Sequence, residues 1–149
     1  MEAQMLAPAA VLIAWSLVVL FMIPITRFPA LAKLGINVAN APRGVRGQDS
    51  EAQLPPSVQW KSHNYTHLME QPTIFYPAVI IIAMSGAAAG DVTAAWAYVG
   101  LRLIHSLWQC FINIVMVRFA LFLAMTAALL YLAYRAVMLT VFADPALVV

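Results

Sequence analysis

Four apolar stretches, each about the length of a membrane crossing, limit what this chain can fold into more than any other feature of its sequence. Lipid offers no partner to an open backbone amide, so a crossing segment closes its hydrogen bonds internally as a helix, with about 20 mainly apolar residues for a hydrocarbon core of about 30 Å. The stretches fall at about 6–26, 58–88, 91–112 and 114–142, and a polar loop covers 27–57. Of the 149 residues 64% are hydrophobic and 9% charged, against about half and about a quarter in a soluble domain. The fold class read from this is all-α: a multi-pass integral membrane four-helix bundle forming one domain, 1–149, with no room for a separate soluble one.

The first stretch lacks a basic start and a small-residue cleavage site, and reads as a retained helix rather than a removed signal. Pro72 and Pro77 are expected to bend the second helix. Gly90 and Asp91 are expected to turn the chain, with Asp91 as N-cap of the third helix. Asp144 and Pro145 are expected to end the fourth. Five of the eight basic residues, Arg27, Lys33, Arg43, Arg46 and Lys61, are read with the first loop, Lys61 at its junction with the second helix, whose start falls between Ser57 and Ser62. By the bias of basic residues toward the cytoplasm, both chain ends should face away from it, with Arg135 snorkelling at the far side. The net charge of +2 is dispersed, which excludes a nucleic-acid footprint. Cys110, the single cysteine, reads as a small packing residue. Trp15, Trp60, Trp96 and Trp108 read as interface or packing residues.

Function is read from polar residues placed where lipid should be. A charged side chain at mid-bilayer costs at least about 2.5 kcal/mol on insertion scales and needs compensation. His63, His67 and Glu70 are spaced by four and three, and share one face of the second helix with Asn64 and Gln71 flanking it. Arg102, His105, Ser106 and Gln109 share a face of the third, with Tyr98 one turn deeper. At 1.5 Å per residue, Glu70 and Arg102 each lie roughly 12–15 Å from the same membrane face, which predicts an ion pair between them. Arg118 then points to the same mouth, and His63, Asn64, His67, Gln109 and Arg118 would surround a polar cavity. A metal site from His63, His67, Glu70 and His105 is disfavoured, because arginines at that level repel a cation.

The runs His67-Leu68-Met69-Glu70-Gln71-Pro72 and Arg102-Leu103-Ile104-His105, followed by Arg118, resemble the MAPEG superfamily of membrane-associated proteins in eicosanoid and glutathione metabolism. Members carry Asn-x-x-Glu on the second helix, Arg-x-x-His on the third and an arginine at the start of the fourth. The resemblance implies a homotrimer that binds glutathione as co-substrate between subunits near the cytoplasmic face. It also implies a thiolate stabilised by Arg118 as the catalytic residue, with glutathione bound or positioned by His63, Asn64, His67, Glu70, Arg102, His105 and Gln109. The acceptor would be a lipophilic electrophile or hydroperoxide from the bilayer, and no metal is expected. The sequence departs from the family at His67, where the motif has asparagine, at Gln109, where tyrosine is usual, and at Phe119, where the prostaglandin synthase of the family has serine. Prostaglandin isomerisation is therefore not expected. The expected activity is that of a glutathione transferase or peroxidase. The competing reading is a non-catalytic binding or scaffold protein tied to another membrane protein, to which the apolar linker 111–117 would offer a surface. The membrane expected is a bacterial inner membrane.

Overall fold

A computed structural model describes residues 1–143, and the expected stop at Asp144 and Pro145 lies outside the described residues. The described chain is helical without strands: α1 (Glu2–Lys33), two short 3-10 turns (Val38–Asn40 and Gly47–Gln53), α2 (Pro56–Leu68), α3 (Pro72–Ser85), α4 (Ala89–Phe111) and α5 (Val115–Thr140). Three segments are long and apolar enough to cross a membrane: α1, the α2–α3 run Pro56–Ser85, and α5. The α4 helix has 23 residues, about 35 Å at 1.5 Å per residue. Its mean hydropathy is lowered by a polar stripe, Asp91, Arg102, His105, Ser106 and Gln109, that is buried against its neighbours.

The α1 helix continues past Thr26, and residues 27–33 are helix rather than loop. It ends where Gly35 adopts φ 73°. The Gly35 amide there donates to the Ala32 carbonyl and the Ile36 amide to the Leu31 carbonyl, the paired closure that a left-handed residue after a helix permits. The second crossing is interrupted rather than merely bent. Pro72 has no N–H and its ring crowds the preceding turn, so Met69, Glu70 and Gln71 form a turn between α2 and α3. Pro77 is accommodated inside α3.

The next connection is at Gly86, with φ 101°, and not at Gly90, which is helical. Ala88 is the N-cap of α4. Asp91 lies three residues further on and reaches back, its Oδ2 accepting the Ala88 amide at 2.9 Å. It also pairs with Arg135 (Nε to Oδ1 2.8 Å, Nη2 to Oδ2 3.1 Å) and accepts the Tyr131 hydroxyl at 3.1 Å. Arg135 therefore does not snorkel outward, because the carboxylate of Asp91 is within reach inside the protein.

The α4 helix lies centrally, packed on α5, α1 and α2. Phe75 and Tyr98 stack with ring centroids 4.4 Å apart, tying α3 to α4. Met5, Leu12, Val19, Leu68, Ile82, Val99, Met125 and Leu132 fill the core around them.

Candidate functional site

The site lies at the end where α1 finishes, α2 starts and α4 passes into α5. Three residues, Ile112 to Ile114, separate α4 from α5. Asn113 makes the reversal at φ 61°, a conformation asparagine tolerates better than most residues. Its Oδ1 accepts Arg118 Nη1 at 2.7 Å, so one side chain both turns the chain and aims the arginine. Asn113 was not singled out in the sequence. Its signal there was an asparagine between two apolar runs, five residues before an arginine.

Arg118, His67 and His105 line one cleft of about 230 Å³, with Val115, Phe119 and Phe122 as its apolar wall. The His67 ring lies 5.0 Å from the ring of His105. It also stacks on Phe122 at 6.0 Å, 21° between planes. His67 Nδ1 is 2.5 Å from Glu70 Oε2. Arg102 is buried directly behind: its Nη2 donates to the His67 carbonyl, and its Nη1 lies 3.6 Å from Met125 Sδ.

The expected Glu70–Arg102 ion pair is absent. The turn at 69–71 swings Glu70 outward, where its side chain is 59% exposed. In the same turn the His67 carbonyl accepts the Glu70 amide at 3.4 Å rather than an amide four residues ahead, and Arg102 Nη2 donates to it as well.

The other expected members separate. Asn64 and Gln109 are buried rather than set around an open cavity. Asn64 Nδ2 donates to Ser106 Oγ at 2.6 Å and to Cys110 Sγ at 3.3 Å. Trp15 Nε1 reaches the same Ser106 at 2.8 Å, so this is an internal clasp joining α1, α2 and α4. His63 lies in a different cavity, of about 680 Å³, among Arg27, Arg46, Glu51, Ser62 and Tyr65. There Glu51 returns over the first turns of α2 and takes His63 Nε2 at 3.3 Å, Arg27 at 2.8 Å and the Ser62 hydroxyl at 2.6 Å. Partial burial pushes the Glu51 carboxyl up, but the hydrogen bonds from Ser62, His63 and Arg27 outweigh it and hold the group below its ordinary value. Lys61, counted with the loop in the sequence, sits on α2 and donates to the Ser57 carbonyl at 2.5 Å.

His105 Nδ1 and Arg118 Nε in the cleft and Arg102 Nε behind it are buried with no hydrogen-bond partner among the described residues, as are Tyr98 Oη deeper in the core, Trp108 Nε1 and the side-chain oxygens of Gln71 and Gln109. Buried polar atoms are nearly always paired, so the unpaired nitrogens of Arg118 and His105 in the cleft, with Arg102 behind them, mark a place suited to an anionic ligand. No three of His, Cys, Asp and Glu come together as a metal-ligand group among the described residues.

The molecule is thus a helical membrane protein with a cationic cleft at the basic end of its helices. The MAPEG family model matches residues 5–138, and the chain belongs to that family. No curated protein and no solved structure matches it significantly.

Proposed function

We propose that the protein is a glutathione-dependent transferase or peroxidase for lipophilic electrophiles, with Arg118 stabilising the glutathione thiolate. The observation that carries this reading is the Arg118 guanidinium beside His67 and His105, with an unpaired buried Nε and an apolar wall of Val115, Phe119 and Phe122. A thiol with an ordinary pKa of about 8.5 is mostly protonated at neutral pH, and an adjacent fixed cation raises its thiolate fraction. Glutathione carries two carboxylates and one ammonium group, partners for arginine and glutamate respectively. In this reading Arg102 and His105 supply donors to the ligand and the exposed Glu70 Oε1 takes the ammonium. Asn64 ties α2 to α4 through Ser106 and Cys110, Gln109 is buried on α4 with a side-chain oxygen unpaired among the described residues, and His63 stays with the Glu51 cluster outside the cleft.

The cleft of about 230 Å³ is smaller than the roughly 300–1,000 Å³ of a typical ligand pocket, and Glu70 lies on the outer surface. Both points support a homotrimer in which a neighbouring subunit covers the rest of the ligand. In this arrangement α1, α2–α3, α4 and α5 are four crossings. The basic end is cytoplasmic and both chain ends are on the other side, in keeping with a bacterial inner membrane. The scaffold reading has its own support: Phe111, Ile112, Ile114, Val115 and Met116 are exposed beside the cleft and offer a face to another membrane protein.

The test is the ultraviolet thiolate absorbance of glutathione added to the purified protein near neutral pH, set against Arg118→Ala. A thiolate signal at site stoichiometry that disappears in the variant is the expected result. No signal at millimolar glutathione removes the enzyme reading and leaves the scaffold.

A further inference from the structure

We propose that His67, oriented by Glu70, accepts the proton of the glutathione thiol and later delivers it to the product. This rests on the reading of Arg118 given above. The family motif has asparagine at this position, a side chain that orients a ligand but takes no proton. Imidazole is the side chain best suited to proton exchange near neutral pH.

The geometry supplies what a general base needs. Glu70 Oε2 lies 2.5 Å from His67 Nδ1, which settles the proton on Nδ1 and leaves the lone pair on Nε2. Nε2 has no hydrogen-bond partner among the described residues. The ring is held by its stack on Phe122 and by the edge of His105, and it shares the cleft with Arg118. The charged and titratable groups facing it are Glu70 from the α2–α3 turn, Arg102 and His105 from α4, and Arg118 from α5. The arginines favour a thiolate and oppose an imidazolium, and Glu70 is the one group that offsets them. His105 is the weaker candidate, because its Nδ1 is buried without a partner and no carboxylate orients it.

The step balances without a further reagent beyond glutathione and a hydroperoxide. The S–H bond breaks, its electron pair stays on sulfur beside Arg118, and the proton moves to His67 Nε2. The thiolate attacks the outer oxygen of the hydroperoxide and the O–O bond breaks. The departing alkoxide takes the proton back from His67, giving the alcohol and glutathione sulfenic acid. A second glutathione thiol converts the sulfenic acid to glutathione disulfide and water. With a carbon electrophile, the same proton goes to the leaving group or the carbanion.

The experiment follows kcat, KM for glutathione and the pH profile with cumene hydroperoxide, using the full chain in detergent, for the natural protein, His67→Asn, Glu70→Gln and Arg118→Ala. His67→Asn should lower kcat by about 10²-fold, the usual contribution of a positioned acid–base group, and move the acid limb of the profile toward the thiol's own range, with KM little changed. Glu70→Gln, at a side chain 59% exposed and so without risk to the packing, should shift the same limb with a smaller fall in kcat. If both variants keep the natural profile and a rate within twofold while Arg118→Ala abolishes the thiolate, the relay is overturned and the role of Arg118 stands. If the natural protein forms no thiolate, both readings fall together.

Discussion

The two ends of α4 carry buried charged groups in opposite states of completion. At its N-terminal end Asp91 is fully buried and meets Arg135, Tyr131 and the Ala88 amide, so all its acceptor capacity is used inside one chain. At its C-terminal end His105 and Arg118 line a cleft with Arg102 buried behind it, and each has a side-chain nitrogen buried without a partner among the described residues. A closed cluster holds helices in place, since it has nothing left to offer a ligand. An open one has donors to spare, and the turns at 69–71 and 113 bring the chain's outward carboxylate and its last cleft arginine to its rim.

The contrast is broken most severely at the closed end. Asp91→Ala leaves Arg135 without its counter-ion and should destabilise the protein by about 3–5 kcal/mol, the usual cost of orphaning one partner of a buried pair. Thermal unfolding in detergent checks this, and glutathione binding by the fraction still folded should be normal. Replacing both partners, Asp91→Leu with Arg135→Met, should recover all but about 1 kcal/mol, the residue being the lost cap on the Ala88 amide. A double variant as unstable as the single one would mean that the pair contributes more than its own charge balance.

At the open end, Asn113→Gly keeps a residue at ease at φ 61° but removes the hydrogen bond to Arg118. Stability should stay within about 1 kcal/mol, while the thiolate signal and kcat fall about tenfold, as for a hydrogen bond to a charged group. A normal rate in this variant would show that Arg118 needs no aiming.

The smallest effect belongs to the outer cluster. Glu51 has a depressed pKa, so its ties to Arg27, Ser62 and His63 are complete above the ordinary carboxylate range and weaken as pH falls through its folded value. Glu51→Gln should cost no more than about 1 kcal/mol, as for partly exposed pairs. It should still raise the rate of tryptic cleavage at Arg43 and Arg46 at neutral pH. An unchanged rate would mean that the polar segment is held by other contacts.

Local chemistry carried much of this into the sequence. Unbroken apolar stretches demand lipid whatever their neighbours do, so the helical class and the membrane were legible before any contact was known. The shared face of Arg102, His105, Ser106 and Gln109 follows from helical periodicity alone, and these residues are buried together on α4. The runs around His67, Arg102 and Arg118 were sufficient to place the chain in its family, as the match over residues 5–138 bears out.

What the sequence left open depends on how helices rotate and break against one another. Whether Glu70 met Arg102 rested on whether Pro72 bent α2 or ended it. The turn at 69–71 leaves the His67 carbonyl with one long bond from the Glu70 amide, and the arginine donates to that carbonyl instead of pairing with Glu70. His63 and His67 share a helical face, yet a carboxylate twelve residues before His63 draws it into another cavity. The Asp91–Arg135 pair joins positions 44 residues apart, and Asn113 matters only because its backbone turns where its side chain can reach Arg118. The free energy of burying a polar group is known from its type, whereas the partner that meets it is decided only when the helices are packed.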